Sequence, residues 1–433
     1  MRIRSLTAVL SLLVSVPAYG QAPASGAVTV IRAARMVDSK KGVVVANPIV
    51  VVQGARITAV GVGIPIPAGA TMIDLGDATI LPGLIDSHTH LLQNYDNTLG
   101  GDDPNMALTV TTMSTAKRAL LGAAMGREDL EAGITTVRDL GNSGYNGDVA
   151  LRDAINAGWV VGPRIRASTR ALSAAGGQFG ALQPEVQKLI EQEYVVISGV
   201  EDARRAVRQA FYDGADLIKV IVNTGPRVVS LEEMKVIVEE AHRVNRTVAA
   251  HAIGDLPTRI SAEAGVNSIE HAYTIPDDVL KMMAEKRIYL VPTDYPDEFY
   301  LPGNITPDKR EQALKNINGF TKGSRDRLAR AVKAGVPIAF GSDEYYQSGG
   351  RTRGLSTLQA MLAYAASGMT PMQIIQAATV NAADLAGWSD RVGALETGKF
   401  ADIIAVNGDP TKDIGILVAG AKFVMKGGAI VKR

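Results

Sequence analysis

Through its middle the chain repeats one alternation: a short apolar run rich in Val, Ile, Ala and Leu, then a longer stretch with helical spacing. The runs fall at 80–87, 134–140, 164–168, 217–222, 248–252, 268–271, 288–292 and 338–341. Between them lie segments such as MSTAKRALLGAAMGREDLEAG, VEDARRAVRQAFYDGA, LEEMKVIVEEAHRVN and SRDRLARAVKAG, most of which stop near a glycine. Thr370-Pro371-Met372-Gln373 predicts a helix start, with a capping box and Pro at the first helical position. Eight strands separated by helical connections predict an α/β chain folded as a (β/α)8 TIM barrel, with functional side chains at the C-terminal strand ends. The run at 164–168 is the most weakly marked of the eight.

Both flanks of this middle read differently. Residues 28–80 and 389–433 carry short β-branched runs broken by glycines, without helical period, and suggest one sheet domain closed by both chain ends around a barrel spanning 81–388. Residues 1–20 read as a signal peptide: Met1-Arg-Ile-Arg4 is basic, 6–16 is apolar, and Ala18 and Gly20 are the small residues before a cut after Gly20. The apolar run is too short to span a bilayer and no later stretch reaches about 20 apolar residues, so an exported, periplasmic or secreted protein without a membrane anchor is expected.

The 433 residues include five His and no Cys. That absence removes disulfides, thiolate zinc sites, Fe–S clusters and a Cys nucleophile together. The formal charge of +1, with no basic block, leaves no electrostatic footprint for nucleic acid. Metal or acid–base chemistry therefore rests on few residues. His88-Thr-His90 ends the first barrel run, and side chains two apart on a strand face the same way, so both rings can reach one ion or be hydrogen-bonded in the core. Lys219 sits inside the apolar run Leu217-Ile-Lys-Val-Ile-Val222, where an ammonium must be paired, for instance with Asp216, snorkel to the strand end, or be chemically altered. His251 and His271 end consecutive runs, and each alone reads more readily as a satisfied core histidine than as a ligand. Asp343 follows the last run, where a loop turn or N-cap would also explain it. What sets these six apart is that all fall on strands, or at strand ends, of one predicted barrel. His242 lies on a helix and reads as solvated. Nitrogen and oxygen donors without sulfur suit zinc or a similar divalent ion.

LPGLIDSHTHL, the strand lysine, the two later histidines and GSD after the eighth run resemble the metal-dependent amidohydrolase superfamily. GARITAVG before the barrel and GALETGKFADIIAVNGDP after it resemble that family's composite β-sandwich. Within the superfamily the chain is most similar to the imidazolonepropionase-like branch that contains Xaa-Pro dipeptidases (prolidases) and exported bacterial members that hydrolyse the amide of ochratoxin A. The resemblance implies that His88 and His90 hold a first metal, that Lys219 is an N6-carboxylysine formed with carbon dioxide and bridges two divalent ions, most simply zinc, and that His251 and His271 hold the second. It implies that Asp343 contacts the first metal and is the catalytic base and acid for a shared, metal-activated hydroxide. It suggests a homo-oligomer, with an octamer as one form.

The substrate expected on this basis is a small molecule: a dipeptide-like amide with an apolar C-terminal residue, including ochratoxin A, which would give ochratoxin alpha and phenylalanine. Tyr273, Tyr295, Phe299, Tyr300, Tyr345 and Tyr346 follow the later runs, and either line the mouth or tuck against its rim. Arg227, Arg351 and Arg353 are placed by loop position to meet a substrate carboxylate. Two departures fall near expected substrate contacts: Gln178 stands where the branch carries a Gly-Gly-His-Gly histidine, and Asn223-Thr-Gly-Pro-Arg227 replaces a Gly-Gly. Alternative readings are a mononuclear imidazolonepropionase- or deaminase-type hydrolase, an inactive barrel scaffold and a periplasmic solute-binding protein. The lysine speaks against the first, the filled ligand positions against the second, and the histidine set against the third.

Overall fold

Gly83 divides what the sequence suggested as one strand. Ala78–Pro82 runs in a sheet made by the chain ends, and Leu84–Thr89 begins the barrel. A Cβ at Gly83 would lie 2.1 Å from Thr135 Oγ1, so only bare backbone passes there. The sheet of the chain ends thus reaches Pro82, just past the expected boundary at 80. This computed structural model describes residues 26–433 except 100, 303, 348 and 349; the leader predicted over 1–20 lies outside the described residues.

Leu84–Thr89, Ile134–Asp139 and Arg164–Ala167 pair in parallel. Ile218–Ile221, Val248–Ala252, Ser268–His271 and Tyr289–Val291 continue in the same sense. Asp216 N donates to Ala167 O at 2.7 Å and joins the two groups. The eighth strand, 338–341, is short: Ile338 bridges Leu290, and Ser87 N donates to Phe340 O at 2.8 Å, which ties the last strand to the first. The closure needs Gly341, where a Cβ would stand 2.3 Å from Val291 Cγ1 and 2.9 Å from His88 Cβ. The third strand is weakly marked for a structural reason. Thr169 takes φ 59°, which breaks the extended backbone, and pairing resumes at Ala171–Ser173 between Ile218–Ile221 and Tyr194–Val196.

Among the described helices, three open on side-chain caps. Thr115–Ala132 begins at Ser114, whose side chain accepts from Lys117 N, and ends at Gly133 in the left-handed region. Leu231–Arg243 and Pro371–Ala377 open on capping boxes, Ser230 with Glu233 and Thr370 with Gln373. The segment at 324–335 proves to be the last part of a longer helix, Pro307–Lys333, whose buried residues begin only at Thr321. The helices bury apolar faces against the outside of the strands, around residues such as Ile134, Ile218, Ile269, Leu290 and Leu328. Each such side chain contributes roughly 1.5–3 kcal/mol when fully buried.

The chain ends build two further sheets. One has four strands in the order Arg56–Val62, Pro48–Gln53, Val28–Arg32 and Thr71–Asp74. The other, of six strands, pairs Ala78–Pro82 antiparallel with Ile403–Asn407, so the C-terminal segment completes a sheet the N-terminal one began. Ile31, Val50, Ile80, Ile403 and Phe423 form the core between them. Among the described residues, no helix is long and apolar enough to cross a membrane.

Candidate active site

Six residues from five strand ends meet at the C-terminal face of the barrel. His88 and His90 come from the first strand and the residue after it, Lys219 from the fourth strand, His251 from the fifth, His271 from the sixth and Asp343 from the residues after the eighth. All six line one cavity of about 600 Å³. His242 is elsewhere, exposed, with Nε2 2.9 Å from Asn267 Oδ1. Asp216 is engaged by Arg152 at 2.7 Å, and no ion pair joins it to Lys219.

The backbone bends to aim these side chains. His271, Thr293 and Asp343 take φ of 65°, 57° and 55°, a left-handed conformation that costs a non-glycine residue about 1–3 kcal/mol. At His271 the turn breaks the strand's alternation. Ser268 and Glu270 already point into the barrel, so a regular strand would send His271 outward; the left-handed residue brings it back toward His251, with ring centroids 4.7 Å apart.

The hydrogen bonds fix the tautomers. His90 Nδ1 lies 2.8 Å from Gly141 O, and His88 Nδ1 lies 2.8 Å from Glu270 Oε2. Both partners only accept, so each Nδ1 donates and each Nε2 presents a lone pair. The two Nε2 atoms are 3.3 Å apart, and Asp343 Oδ1 stands 3.3 Å from one and 3.2 Å from the other. Three acceptors therefore converge, and Asp343 Oδ1 has no hydrogen-bond partner. Such a set repels itself unless a proton or a metal ion sits among its members. His88, His271 and Asp343 each offer an atom within 4.8 Å of the others, spacing that suits a divalent ion.

The titration directions differ along the cluster. Burial works against a charged His88 and the Lys219 charge adds to it, yet Asp343 and Glu270 leave the ring raised above its usual value. Burial and Lys219 pull His251 down to about 3, and burial with His251 holds His271 well below the usual range, so both stay neutral and able to bind metal. Burial alone would raise the Asp343 carboxyl, but the close imidazoles of His88, His90 and His271 outweigh it and hold it well below the usual carboxylate range. Burial draws the Lys219 ammonium down to about 8, against the opposing pull of Glu270 and Asp343.

Sequence reading missed Glu270. Buried at the centre of the barrel, it accepts from His88 and from Arg138 Nη2 at 3.0 Å, and Arg138 with His88 holds it down to about 2 in spite of burial. The available signal was an acid in an apolar run next to a histidine. If His271 is taken to face inward by alternation, Glu270 is placed on the outside.

The walls of the cavity differ. On one side Tyr295 and Phe299 stack at 3.7 Å, and Phe299, Tyr300, Phe320 and Tyr273 continue ring to ring toward His271. On the other, Tyr345 lies parallel to His90 at 4.6 Å with Tyr95 parallel beyond it at 4.7 Å, and Tyr346 meets Tyr95 edge-on. Gln178, Asn142, Asn97 and Asp102 add polar groups, and Gln178 Oε1 accepts from Tyr194 OH at 3.0 Å. The expected aromatics all reach the cavity, and so does Gln178.

The arginines do not. Arg227 folds back to donate to Ala175 O at 2.7 Å and Phe179 O at 2.8 Å, bracing the loop that carries Gln178. Arg353 is buried, bound to Thr89 Oγ1 at 2.9 Å and to the carbonyls of His90, Gln93 and Glu344. Arg351 also lies outside the lining, which leaves Lys219 as the cation among the described residues of the wall.

The amidohydrolase family profile matches residues 79–431. The chain is 34% identical over 382 residues to the ochratoxinase of Aspergillus niger, covering 82% of this chain and 75% of that protein. It is 27% identical over 387 residues to the imidazolonepropionase of Geobacillus kaustophilus, covering 84% and 83%. Among solved structures, the A. niger ochratoxinase superposes with a TM-score of 0.79 at 30% identity, covering 94% of this chain and 96% of that one. A Xaa-Pro dipeptidase with methionine bound in its active site superposes at 0.78 and 29% identity, covering 94% and 100%.

Proposed function

The chain belongs to the amidohydrolase family, and on that premise we propose that it uses two divalent metal ions to cleave the amide bond of dipeptide-like conjugates with an apolar C-terminal residue. That it is a hydrolase acting on amide and peptide C–N bonds follows from the family and its relatives. The observation that carries the metal reading is the convergence of His88 Nε2, His90 Nε2 and Asp343 Oδ1 at 3.2–3.3 Å, acceptors that need a cation between them.

His88, His90 and Asp343 would hold one ion and His251 and His271 the other. Lys219 would bridge them as a carbamate, for which its depressed pKa supplies the neutral amine that adds carbon dioxide. Divalent ions bound there would supply Lewis acidity at the scissile carbonyl and a water acidified toward about neutral pH. Zinc suits the nitrogen and oxygen donors best.

The chain's own groups do the rest. Glu270 fixes the His88 ring, and Gly141 O with the Tyr345 stack fixes His90. Asp343, ionised and facing the cavity, takes the proton that the attacking water loses and returns it to the leaving nitrogen, giving a carboxylic acid and an amine. The tyrosine and phenylalanine wall takes an apolar side chain. The relatives known as ochratoxinase and Xaa-Pro dipeptidase support substrates of this kind, ochratoxin A among them.

A panel of Leu-Phe, Leu-Leu, Leu-Pro and ochratoxin A, incubated with zinc-loaded protein, tests the reading. Release of the C-terminal amino acid from at least one of them is expected. Release from none would remove the proposal.

A further inference from the structure

The cavity has an anion to spare. Apart from Asp343, the carboxylate among its described lining residues is Asp102, in the first turn of the helix Asp102–Thr112 at the rim. Its Oδ1 accepts from Tyr346 OH at 2.7 Å, and Tyr346 in turn rests edge-on against Tyr95 at 5.7 Å. The tyrosine gives the carboxylate a fixed place but no countercharge. No cation among the described residues pairs with Asp102, which stands exposed at the rim; partial loss of water there, with Asp343 and Asp103 nearby, pushes its carboxyl above the usual range in spite of the tyrosine bond. A positive group arriving from the cavity relieves all of these at once.

The opposite wall is aromatic, and among the described residues no arginine lines either side to receive a carboxylate. The lining therefore distinguishes the two ends of a dipeptide by charge. Away from Lys219 and the histidine cluster, it offers Asp102 to an ammonium and neutral donors such as Asn142 to an anion.

We propose that Asp102, positioned by Tyr346, binds the free α-ammonium of the acyl half of the substrate, so that aminoacyl amides are preferred over amides of uncharged acids. The inference rests on the amide-hydrolase reading and narrows it. N-acyl amino acids without an amine still fit the aromatic wall, but lack the group that Asp102 takes.

The test compares two substrates of nearly equal shape on the zinc-loaded full chain: L-leucyl-L-phenylalanine and 4-methylpentanoyl-L-phenylalanine, which lacks only the amine. At about pH 7 the dipeptide is expected to have the higher kcat/KM by about tenfold, the scale of one partly exposed charge pair near 1.4 kcal/mol. The advantage should fade as pH rises through about 7.7–8.0, where an α-amine loses its charge. Asp102→Asn is expected to bring the ratio close to one by raising KM for the dipeptide with little change in kcat. Asp102→Glu should restore part of the ratio. Equal kcat/KM for the two substrates in the unaltered protein, or a ratio that Asp102→Asn leaves intact, would overturn the inference while hydrolysis itself still stands. Hydrolysis of neither would remove the amide-hydrolase reading and this inference with it.

Discussion

Glu270 Oε2 accepts a hydrogen bond from His88 Nδ1 at 2.8 Å inside the barrel, with Arg138 Nη2 3.0 Å from the other carboxylate oxygen. The pair sets which nitrogen of His88 carries the proton and so turns the Nε2 lone pair toward Asp343. Substitution Glu270→Gln keeps the volume but weakens this hold on the ring and leaves Arg138 less well paired. Zinc affinity, measured by competition with a chromogenic chelator, is expected to fall about 10–100-fold, the usual effect of losing a partner of a metal-binding histidine. An unchanged affinity would mean that Glu270 serves the barrel core and not the metal.

Asp343 lies where three histidines can reach it, at 3.3 Å from His88, 3.2 Å from His90 and 3.8 Å from His271. Asp343→Asn retains an oxygen for the cluster but cannot accept and return a proton. Metal content by atomic emission should stay near that of the unaltered protein while kcat falls about 10²–10⁴-fold. Full turnover in this variant would end the role given to Asp343.

Tyr345 fills the space between His90 and Tyr95 as the middle ring of a parallel column. Tyr345→Phe preserves the column and should leave both zinc retention and the denaturant midpoint near their starting values. Tyr345→Ala opens the column, and a loss of about 2 kcal/mol in stability is expected for a partly buried ring, together with faster zinc loss to chelator. Equal behaviour of the two variants would contradict a positioning role for the ring.

Beneath the site, Asp129 is fully buried, its two oxygens have no hydrogen-bond partner, and Arg353 Nε is 3.7 Å away. Burial raises its carboxyl to about 7 against the Arg353 charge, with Asp86 adding to the rise. Folding thus favours the protonated form. The stability it contributes is complete below the unfolded value near 3.9, is lost as pH climbs toward about 7, and does not change further above that. Asp129→Asn cannot ionise. It should exceed the unaltered protein by about 2 kcal/mol in urea unfolding at about pH 8, and the gap should close near about pH 4. A gap of the same size at both pH values would show that Asp129 is not the titrating group.

Much of this was legible in the sequence, and the failures share a cause. His88 and His90 were readable because a spacing of two on a strand fixes a common face, and the capping box at Thr370 because its hydrogen bonds are local. Spacing could not reveal that His271 reaches the cavity by way of a left-handed residue, so Glu270 was assigned to no role. Loop position put Arg227 near the mouth, yet long side chains choose the nearest free carbonyls, here Ala175 O and Phe179 O. The first strand was drawn through Gly83 because its apolar run is continuous; the break comes from Thr135, which lies over fifty residues away in sequence. Asp102 went unnoticed because its partner, Tyr346, lies 244 residues away in sequence, after the eighth strand.

Metal dependence is tested most directly by stripping the protein with chelator and titrating zinc back in the presence of bicarbonate, with release of phenylalanine from an apolar dipeptide as the readout. Turnover is expected to vanish on stripping and to rise with added zinc to a plateau at two equivalents per chain. Turnover that survives stripping, or that is complete at one equivalent, would contradict a binuclear site built on His88, His90, Lys219, His251, His271 and Asp343.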